Sequence, residues 1–437
     1  MSGFVEVVLP VPLHRPYIYA VPDALSERAV PGARVVVPLR ARRVVGVVTG
    51  VRPQPAAGIE VKPIIAAPDD EPALSAALLD LGRWISDYYG APLGLALRSI
   101  LPGPLWSVAR PAGPAPSAER LFVLTGNGMD SLLERDRRFK RTPKRRAAYE
   151  AVEALGGSAP MSHLMRQLKL SSAVLDGLVE QGLARIDRIP ETRDPFAGLS
   201  SPPPPILTDD QRRVVKGILE SDAPALIHGV TGSGKTLVYL DVLRTVVASG
   251  NGAILLVPEI ALTPQTVARV RGVFGDQVAV LHSGLSDGER VDAWRALRRG
   301  ERRVAVGPRS AVFAPVQRLG AIVVDEEHEP SYKQGSAPRY HARDAAAMRA
   351  ELEGARLILG SATPSLETLD LAAQGRVKTF ELPSRVGARP LPLVEVVDLR
   401  SAPRVAPAET GGGGGGGGRR AVERSAGRGR EGRARAR

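Results

Sequence analysis

Eight consecutive residues constrain this chain more than any other stretch: Gly229-Val230-Thr231-Gly232-Ser233-Gly234-Lys235-Thr236. They follow the apolar run Ala225 to Ile227 and precede the helix-compatible segment LVYLDVLRTVVAS. A glycine-rich turn between a strand and a helix lets backbone N–H groups point inward at an anion, with the positive end of the helix dipole behind them. In such a loop Lys235 reaches the β- and γ-phosphates and the Thr236 hydroxyl is a ligand for Mg²⁺. The pattern therefore predicts a parallel-sheet lobe that binds a nucleoside triphosphate, ATP, with Mg²⁺.

The surroundings agree with that reading. Apolar runs at Ala253 to Val257, Gln277 to Leu281, Arg303 to Val306, Ala321 to Val324 and Arg356 to Leu359 alternate with helix-compatible segments, as in a sheet covered on both faces. Asp325-Glu326-Glu327-His328 follows one of these strands, so its carboxylates emerge at the end of the sheet where open α/β folds bind ligands. Asp325 is expected to hold Mg²⁺ and Glu326 to polarise the attacking water, two tasks that need two acids. Thr208-Asp209-Asp210-Gln211 precedes the loop, where superfamily 2 helicases place a Gln that reads adenine. Gly360-Ser361-Ala362-Thr363 follows another buried strand, and in such motors Ser361 and Thr363 couple the nucleotide site to the DNA groove.

Composition narrows the classes. With no Cys there is no disulfide framework, no Cys-ligated zinc and no thiol nucleophile. No apolar run approaches the roughly 20 residues that span a bilayer, so a cytoplasmic protein without a membrane partner is expected. The 59 Lys and Arg against 46 Asp and Glu leave +13, which favours a polyanionic partner. Residues 401–437 hold 9 Arg and 3 Glu, so +6 of that excess lies in a Gly/Arg tail with no apolar periodicity, expected to be disordered.

The pattern predicts a multidomain α/β chain. Residues 1–103 read as a β-rich, barrel-like domain with strands at Phe4 to Leu9, Arg34 to Pro38, Arg43 to Val51 and Val61 to Ile65. Leu74, Leu78, Leu81, Ile85 and Tyr88 then mark one face of a helix. A proline-rich linker is expected over 104–120 and a winged helix over 121–190, its helices at Ala147 to Leu155, near Met161 to Leu168 and from a Ser171 cap to Gln181. A second proline-rich linker, 191–205, leads to the RecA-like helicase lobe over 206–400.

The segments HGVTGSGKT, VPEIALTPQ, LHSGLSDGER, VVDEEHEPSYKQ, PRYHARD and GSATPSLET resemble the primosomal protein N′ (PriA) family of bacterial replication-restart helicases, from about residue 4 to Leu399. The resemblance implies a first domain that binds the 3′ end of a nascent strand at a fork, a winged helix, and the first lobe of a DNA-dependent ATPase that unwinds DNA 3′ to 5′. It implies forked and single-stranded DNA, primosome proteins and the replicative helicase loader as partners. It also implies that the loop carrying Tyr332, Lys333, Arg339, Tyr340 and His341 senses single-stranded DNA, in keeping with stacking by Tyr and phosphate contacts by Lys and Arg.

The departures are specific. Tyr17-Ile18-Tyr19 stands where the family has an aromatic-Asp-Tyr step, and Ile18 cannot accept a hydrogen bond from a terminal nucleotide. Pro308 stands where the family more often has Thr. The Cys ligands of the family's zinc module and its second ATPase lobe are absent from these 437 residues. The expectation is little helicase activity from this polypeptide alone. The alternative is a non-enzymatic fork-binding protein with a remnant ATPase lobe.

Overall fold

The computed structural model describes residues 3–52, 61–114, 117–125, 132–191, 193–196, 198–199 and 205–386. The Gly/Arg tail expected over 401–437, residues 387–400 before it and the prolines at 202–204 lie outside the described residues.

Alternating valines build the first sheet. Strands β1 (Gly3–Val8), β2 (Tyr17–Val21), β3 (Arg34–Leu39) and β4 (Arg42–Arg52) are antiparallel in the order β2-β1-β4-β3. The segment expected as a strand from Val61 joins the two outer strands instead. Ala20 N donates to Lys62 O at 3.0 Å and Ile64 N to Ala20 O at 3.0 Å; Val36 N donates to Ala66 O and Ile65 N to Val36 O, both at 2.8 Å. Pro63 has no N–H to continue a ladder, so the contact stays a pair of isolated bridges. The sheet nevertheless curls shut, which is the barrel-like form the patterning predicts. Strand β2, around Tyr17 to Tyr19, has no counterpart in the sequence reading.

Two helices cover this sheet. Helix α1 (Ala76–Tyr88) starts at Ser75, whose side chain accepts from Leu78 N, and α2 (Leu93–Ile100) follows. Leu74, Leu78, Leu81 and Ile85 are buried as the periodicity predicts, but Tyr88 is 65% exposed. The apolar stripe ends one turn before the helix does. Within the linker expected over 104–120, residues 105–114 are held by two arginines. The buried Arg34 guanidinium pairs with Asp69 at 2.6 Å and donates to Pro111 O at 2.8 Å and to Leu105 O, while Arg295 donates to Ala112 O at 2.6 Å and Pro114 O at 2.8 Å.

The next unit combines a small antiparallel sheet with short helices. Strands β5 (Ser117–Leu124), β6 (Ser158–Pro160) and β7 (Ala184–Glu191) pair in the order β6-β5-β7. Helices α3 (Leu132–Phe139), α4 (Pro143–Ala154), α5 (Met161–Arg166) and α6 (Ser172–Glu180) pack over it around Phe122, Val152, Leu164 and Leu178. Ser171 occupies the N-cap of α6 but its side chain makes no capping bond. The basic run from Arg135 is partly spent internally: Arg135 pairs with Glu153 at 2.6 Å and Arg146 with Glu150 at 2.8 Å.

The third region is the parallel lobe. Its elements are α7 (Asp209–Leu219), β8 (Ala225–Gly229), α8 (Lys235–Ala248), β9 (Gly252–Leu256), α9 (Pro264–Phe274), β10 (Val278–Val280), α10 (Asp287–Arg298), β11 (Val304–Gly307), β12 (Leu319–Asp325), α11 (Ala342–Glu353), β13 (Arg356–Ser361), α12 (Leu366–Ala373) and β14 (Lys378–Leu382). The seven strands are parallel in the order β10-β11-β9-β12-β13-β8-β14. Only β14 was unforeseen.

Alternation along each strand divides the core in two. Ala253, Leu255, Ala321 and Val323 face Val238, Tyr239 and Val242 of α8. Ile254, Leu256, Ile322 and Val324 face the other way, into one cluster with Ala342 and Ala346 of α11 and with Leu78, Leu81, Ile85 and Leu97 of α1 and α2. The N-terminal helices therefore share a hydrophobic core with the parallel-sheet lobe.

Candidate nucleotide-binding site

Strand β8 delivers the chain into the loop Gly229–Thr236, and α8 begins inside it. Gly232 and Gly234 hold φ values of +86° and +83°, a region that any residue with a Cβ enters at a cost. Space closes the same option at Gly234, where an added Cβ would lie 2.3 Å from Gln211 Nε2. Lys235 is buried at the start of α8; its Nζ donates to Gly229 O at 3.0 Å and lies 3.6 Å from Glu326 Oε1. The Ser233 hydroxyl is buried without a hydrogen-bond partner, an unmet donor inside the loop. Thr236 is half-buried, and Val230 and Thr231 are exposed at the loop tip.

Gln211 sits against this loop as expected, with both ends of its amide occupied. It forms a capping box with Thr208: Oε1 accepts from Thr208 N at 2.9 Å, and Gln211 N donates to Thr208 Oγ1 at 3.3 Å. Its Nε2 donates to Ser233 O at 2.9 Å. The residue is fully buried. In this conformation Gln211 braces the phosphate loop rather than presenting an edge to a base.

The carboxylates lie on the facing side. Asp325 ends β12, and burial, then the charge of Glu326, pushes its pKa from 3.8 up to about 6. Tyr239 of α8 is buried beside it, its hydroxyl close to the carboxylate but outside hydrogen-bonding geometry; desolvation first, then the two carboxylates, drives that phenol well above its ordinary range. Glu326 turns with φ +45°, a left-handed conformation rare away from glycine, which aims its side chain at Lys235. Thr236 is half-buried on α8 and Asp325 closes β12, oxygen groups of the kind that hold a hard divalent cation, and the unpartnered Ser233 hydroxyl lies in the loop.

Three features extend the site beyond the predicted residues. Glu327 is completely buried, yet both its oxygens are engaged: Oε1 accepts from Ser365 N at 2.7 Å, and Oε2 accepts from Ser365 Oγ at 2.9 Å, Thr368 Oγ1 at 3.0 Å and Arg343 Nη1 at 3.1 Å. His328 Nδ1 is 2.7 Å from Ser361 Oγ, and its Nε2 is 3.4 Å from Thr363 Oγ1. Ser361 and Thr363 are thus joined to the acidic turn through a histidine. Gly360 has no Cβ because the Tyr239 hydroxyl fills that space at 1.4 Å.

Residues 6–102 match the 3′DNA-binding domain (3′BD) family of PriA, and residues 208–372 match the DEAD/DEAH box helicase family. The replication restart protein PriA of Bacillus subtilis is 37% identical over 91% of this chain and 58% of its own length. That of Chlamydia pneumoniae is 36% identical over 88% of this chain and 52% of its own. Along about nine-tenths of its length the chain is similar to PriA proteins. It spans little more than half the length of these relatives. Among solved structures, RecG bound to a three-way DNA junction shares 22% identity over 43% of this chain and 25% of that one, at a TM-score of 0.33.

The loop after the acidic turn departs from the sequence expectation. Tyr332 is 1% and Tyr340 2% exposed, so neither ring has a free face for a base. Tyr332 donates its hydroxyl to Asp325 O at 2.7 Å, and Tyr340 packs edge-on to Phe313 at 5.0 Å. His341 caps α11, its Nδ1 accepting from Arg343 N at 3.2 Å. Lys333 and Arg339 are exposed, as a phosphate-contacting role requires. Tyr89, just past α1, takes the His341 N–H at 3.1 Å and donates to Asp344 Oδ2 at 3.0 Å, which ties the N-terminal domain to this loop. Glu327 could have been read from the DEEH run and Arg343 from PRYHARD. Tyr89 and Tyr239 carry no sequence signal of their own.

Proposed function

We propose that this chain binds ATP·Mg²⁺ between the Gly229–Thr236 loop and the Asp325–Glu326 pair, and binds forked and single-stranded DNA, as the front half of a replication-restart helicase. The observation that carries the reading is Lys235 Nζ, buried at the head of α8 and held between Gly229 O at 3.0 Å and Glu326 at 3.6 Å. A desolvated ammonium beside unmet donors is a preformed seat for phosphate oxygens. Lys235 and the loop amides would hold the phosphates. Thr236 and Asp325 would hold Mg²⁺, which neutralises charge on the phosphoryl group. Glu326 would orient water.

Hydrolysis needs more than this lobe. A cation supplied to the transferred phosphoryl group is worth about 10³ to 10⁵ in rate. In two-lobed motors it comes from the second lobe, so this lobe would supply the nucleotide seat and not this cation. Primosome proteins and a helicase loader are the partners the family implies, and the name of the 3′BD family supports recognition of a DNA 3′ end. Ile18 leaves that recognition to other groups, since its side chain accepts no hydrogen bond.

Titration of the purified polypeptide with a fluorescent ATP analogue and Mg²⁺ tests the site. Lys235→Ala should weaken binding roughly 10- to 100-fold, the range of a lost charge-assisted hydrogen bond. Unchanged affinity would remove the nucleotide reading. DNA-stimulated turnover abolished by the same substitution would show that the nucleotide held here is also hydrolysed.

A further inference from the structure

We propose that Trp84 and Tyr88 on α1, flanked by Lys333, form a stacking platform for a nucleobase of single-stranded DNA. The proposal rests on the DNA-binding reading above and assigns that reading a place.

The geometry begins with the rings themselves. Trp84 and Tyr88, one helical turn apart, stack with centroids 4.9 Å apart and planes 16° from parallel. Tyr89 meets both edge-on, at 4.8 Å and 78° to Tyr88 and at 6.0 Å and 87° to Trp84. This cluster is rigid: Ile85 beneath it is buried in the core shared with the ATPase lobe, and the Tyr89 hydroxyl is fixed between His341 N and Asp344. Tyr88 is nevertheless 65% exposed, so a pre-stacked aromatic pair presents an outer face to solvent. An exposed large ring on an ordered helix adds nothing to the core, and it offers a contact surface at small entropy cost.

The charge around it selects the occupant. Lys333 Nζ lies 4.9 Å from the Tyr89 ring centroid, on the exposed loop that also carries Arg339. An aromatic face beside an exposed ammonium matches the alternation of base and phosphate along a single strand, and base–aromatic stacking tolerates any base. The chain's net charge of +13 favours the same partner. Tyr332 and Tyr340 cannot serve, because both are buried. In this molecule the cations come from the loop after the acidic turn, and the aromatic surface comes from the N-terminal helix.

Two measurements on the whole polypeptide test the platform. In oligo(dT) anisotropy titrations, Tyr88→Ala should weaken binding at least about 5-fold, as expected for one lost stacking contact. Tyr88→Phe should stay within about twofold. Because Tyr88 is exposed, neither change threatens folding, and an unchanged thermal midpoint verifies this. Ultraviolet crosslinking to an oligonucleotide carrying 5-iodouracil should label the tryptic peptide Trp84–Arg98. Labelling confined to Leu319–Lys333 or Tyr340–Arg343, with Tyr88→Ala binding like the parent, overturns the platform and leaves DNA binding intact. A change in oligomeric state on Tyr88→Ala without a change in DNA affinity assigns the rings to a protein contact, which also overturns it. No binding of oligo(dT) by the parent protein overturns the DNA reading itself.

Discussion

Two loops at the carboxyl ends of one parallel sheet look equally functional in the sequence, and they work in opposite ways. The Gly229–Thr236 loop acts through its backbone: glycines at positive φ turn main-chain groups inward, and the only long side chain it buries is Lys235. The loop after Asp325–His328 acts through side chains, and its aromatic members are consumed by packing. Tyr332 and Tyr340 are as buried as any valine of the sheet, while Lys333 and Arg339 stay in solvent. Local sequence determines what a backbone loop can hold. Distant neighbours such as Phe313 and Tyr89 decide which side chains of the second loop remain free.

The largest break in this comparison comes from Glu327, the charge on which the second loop is built. Glu327→Ala strips a fully buried carboxylate from Arg343, Ser365 and Thr368 and leaves the Arg343 guanidinium only the more exposed Asp344 and Glu367 as counter-charges. Urea unfolding should show a loss of about 3 to 5 kcal/mol, the usual cost of removing one partner of a buried pair. If the loss is under about 1 kcal/mol, the network is not what holds the acidic turn to α11 and α12.

Asp325 separates stability from function. Its pKa is raised from 3.8 to about 6, so the folded chain binds this proton more tightly than the unfolded one. That contribution to stability is fully present below about pH 4 and is lost as pH rises through about 6. Above it, the ionised carboxylate is a net cost to the apo fold, of the order of 2 to 3 kcal/mol at ~1.4 kcal/mol per pKa unit. Asp325→Asn should therefore raise the thermal midpoint at pH 8, with the difference shrinking towards pH 4, while Mg²⁺-dependent ATP affinity falls. A lower midpoint at pH 8 would contradict this assignment of the charge.

Tyr332→Phe gives a smaller effect and bears directly on the misread loop. It keeps the ring and removes only the hydroxyl that donates to Asp325 O. The chain should lose about 1 kcal/mol of stability, with oligo(dT) affinity unchanged. A tyrosine that served only to stack on DNA would show no loss of stability.

Much of the parallel-sheet lobe was legible because each strand of a doubly covered parallel sheet is a continuous apolar run; Ala253 to Val257 and Ala321 to Val324 stand out from polar flanks. Strand β14 was not, since Lys378-Thr379-Phe380-Glu381-Leu382 alternates at the sheet edge like many exposed segments. The linker reading of residues 104–114 failed for a related reason. Proline content reports what the backbone cannot donate, and is silent on the carbonyls of Pro111, Ala112 and Pro114 that Arg34 and Arg295 seek out. Glu326, Lys235 and Gln211 could be placed in one site from motif order alone. The role of Gln211 as a brace for Ser233 O depends on a rotamer that no linear pattern encodes.

Lys333 gives the smallest effect and the sharpest reading of the second loop, because its ammonium has two competing uses. Over the Tyr89 ring at 4.9 Å it contributes a cation–π contact, about 0.5 to 1 kcal/mol at an exposed site. On a phosphate it would release a counterion and steepen the dependence of affinity on salt by about 0.7 in log–log slope for a single strand. Lys333→Gln should weaken oligo(dT) binding only a few-fold at low salt and lower the magnitude of that slope by roughly this amount, with the thermal midpoint nearly constant. An unchanged slope with a reduced midpoint would mean that Lys333 is held by Tyr89 for structure. The second loop would then lose one of its two free cations to packing, as it has already lost both tyrosines.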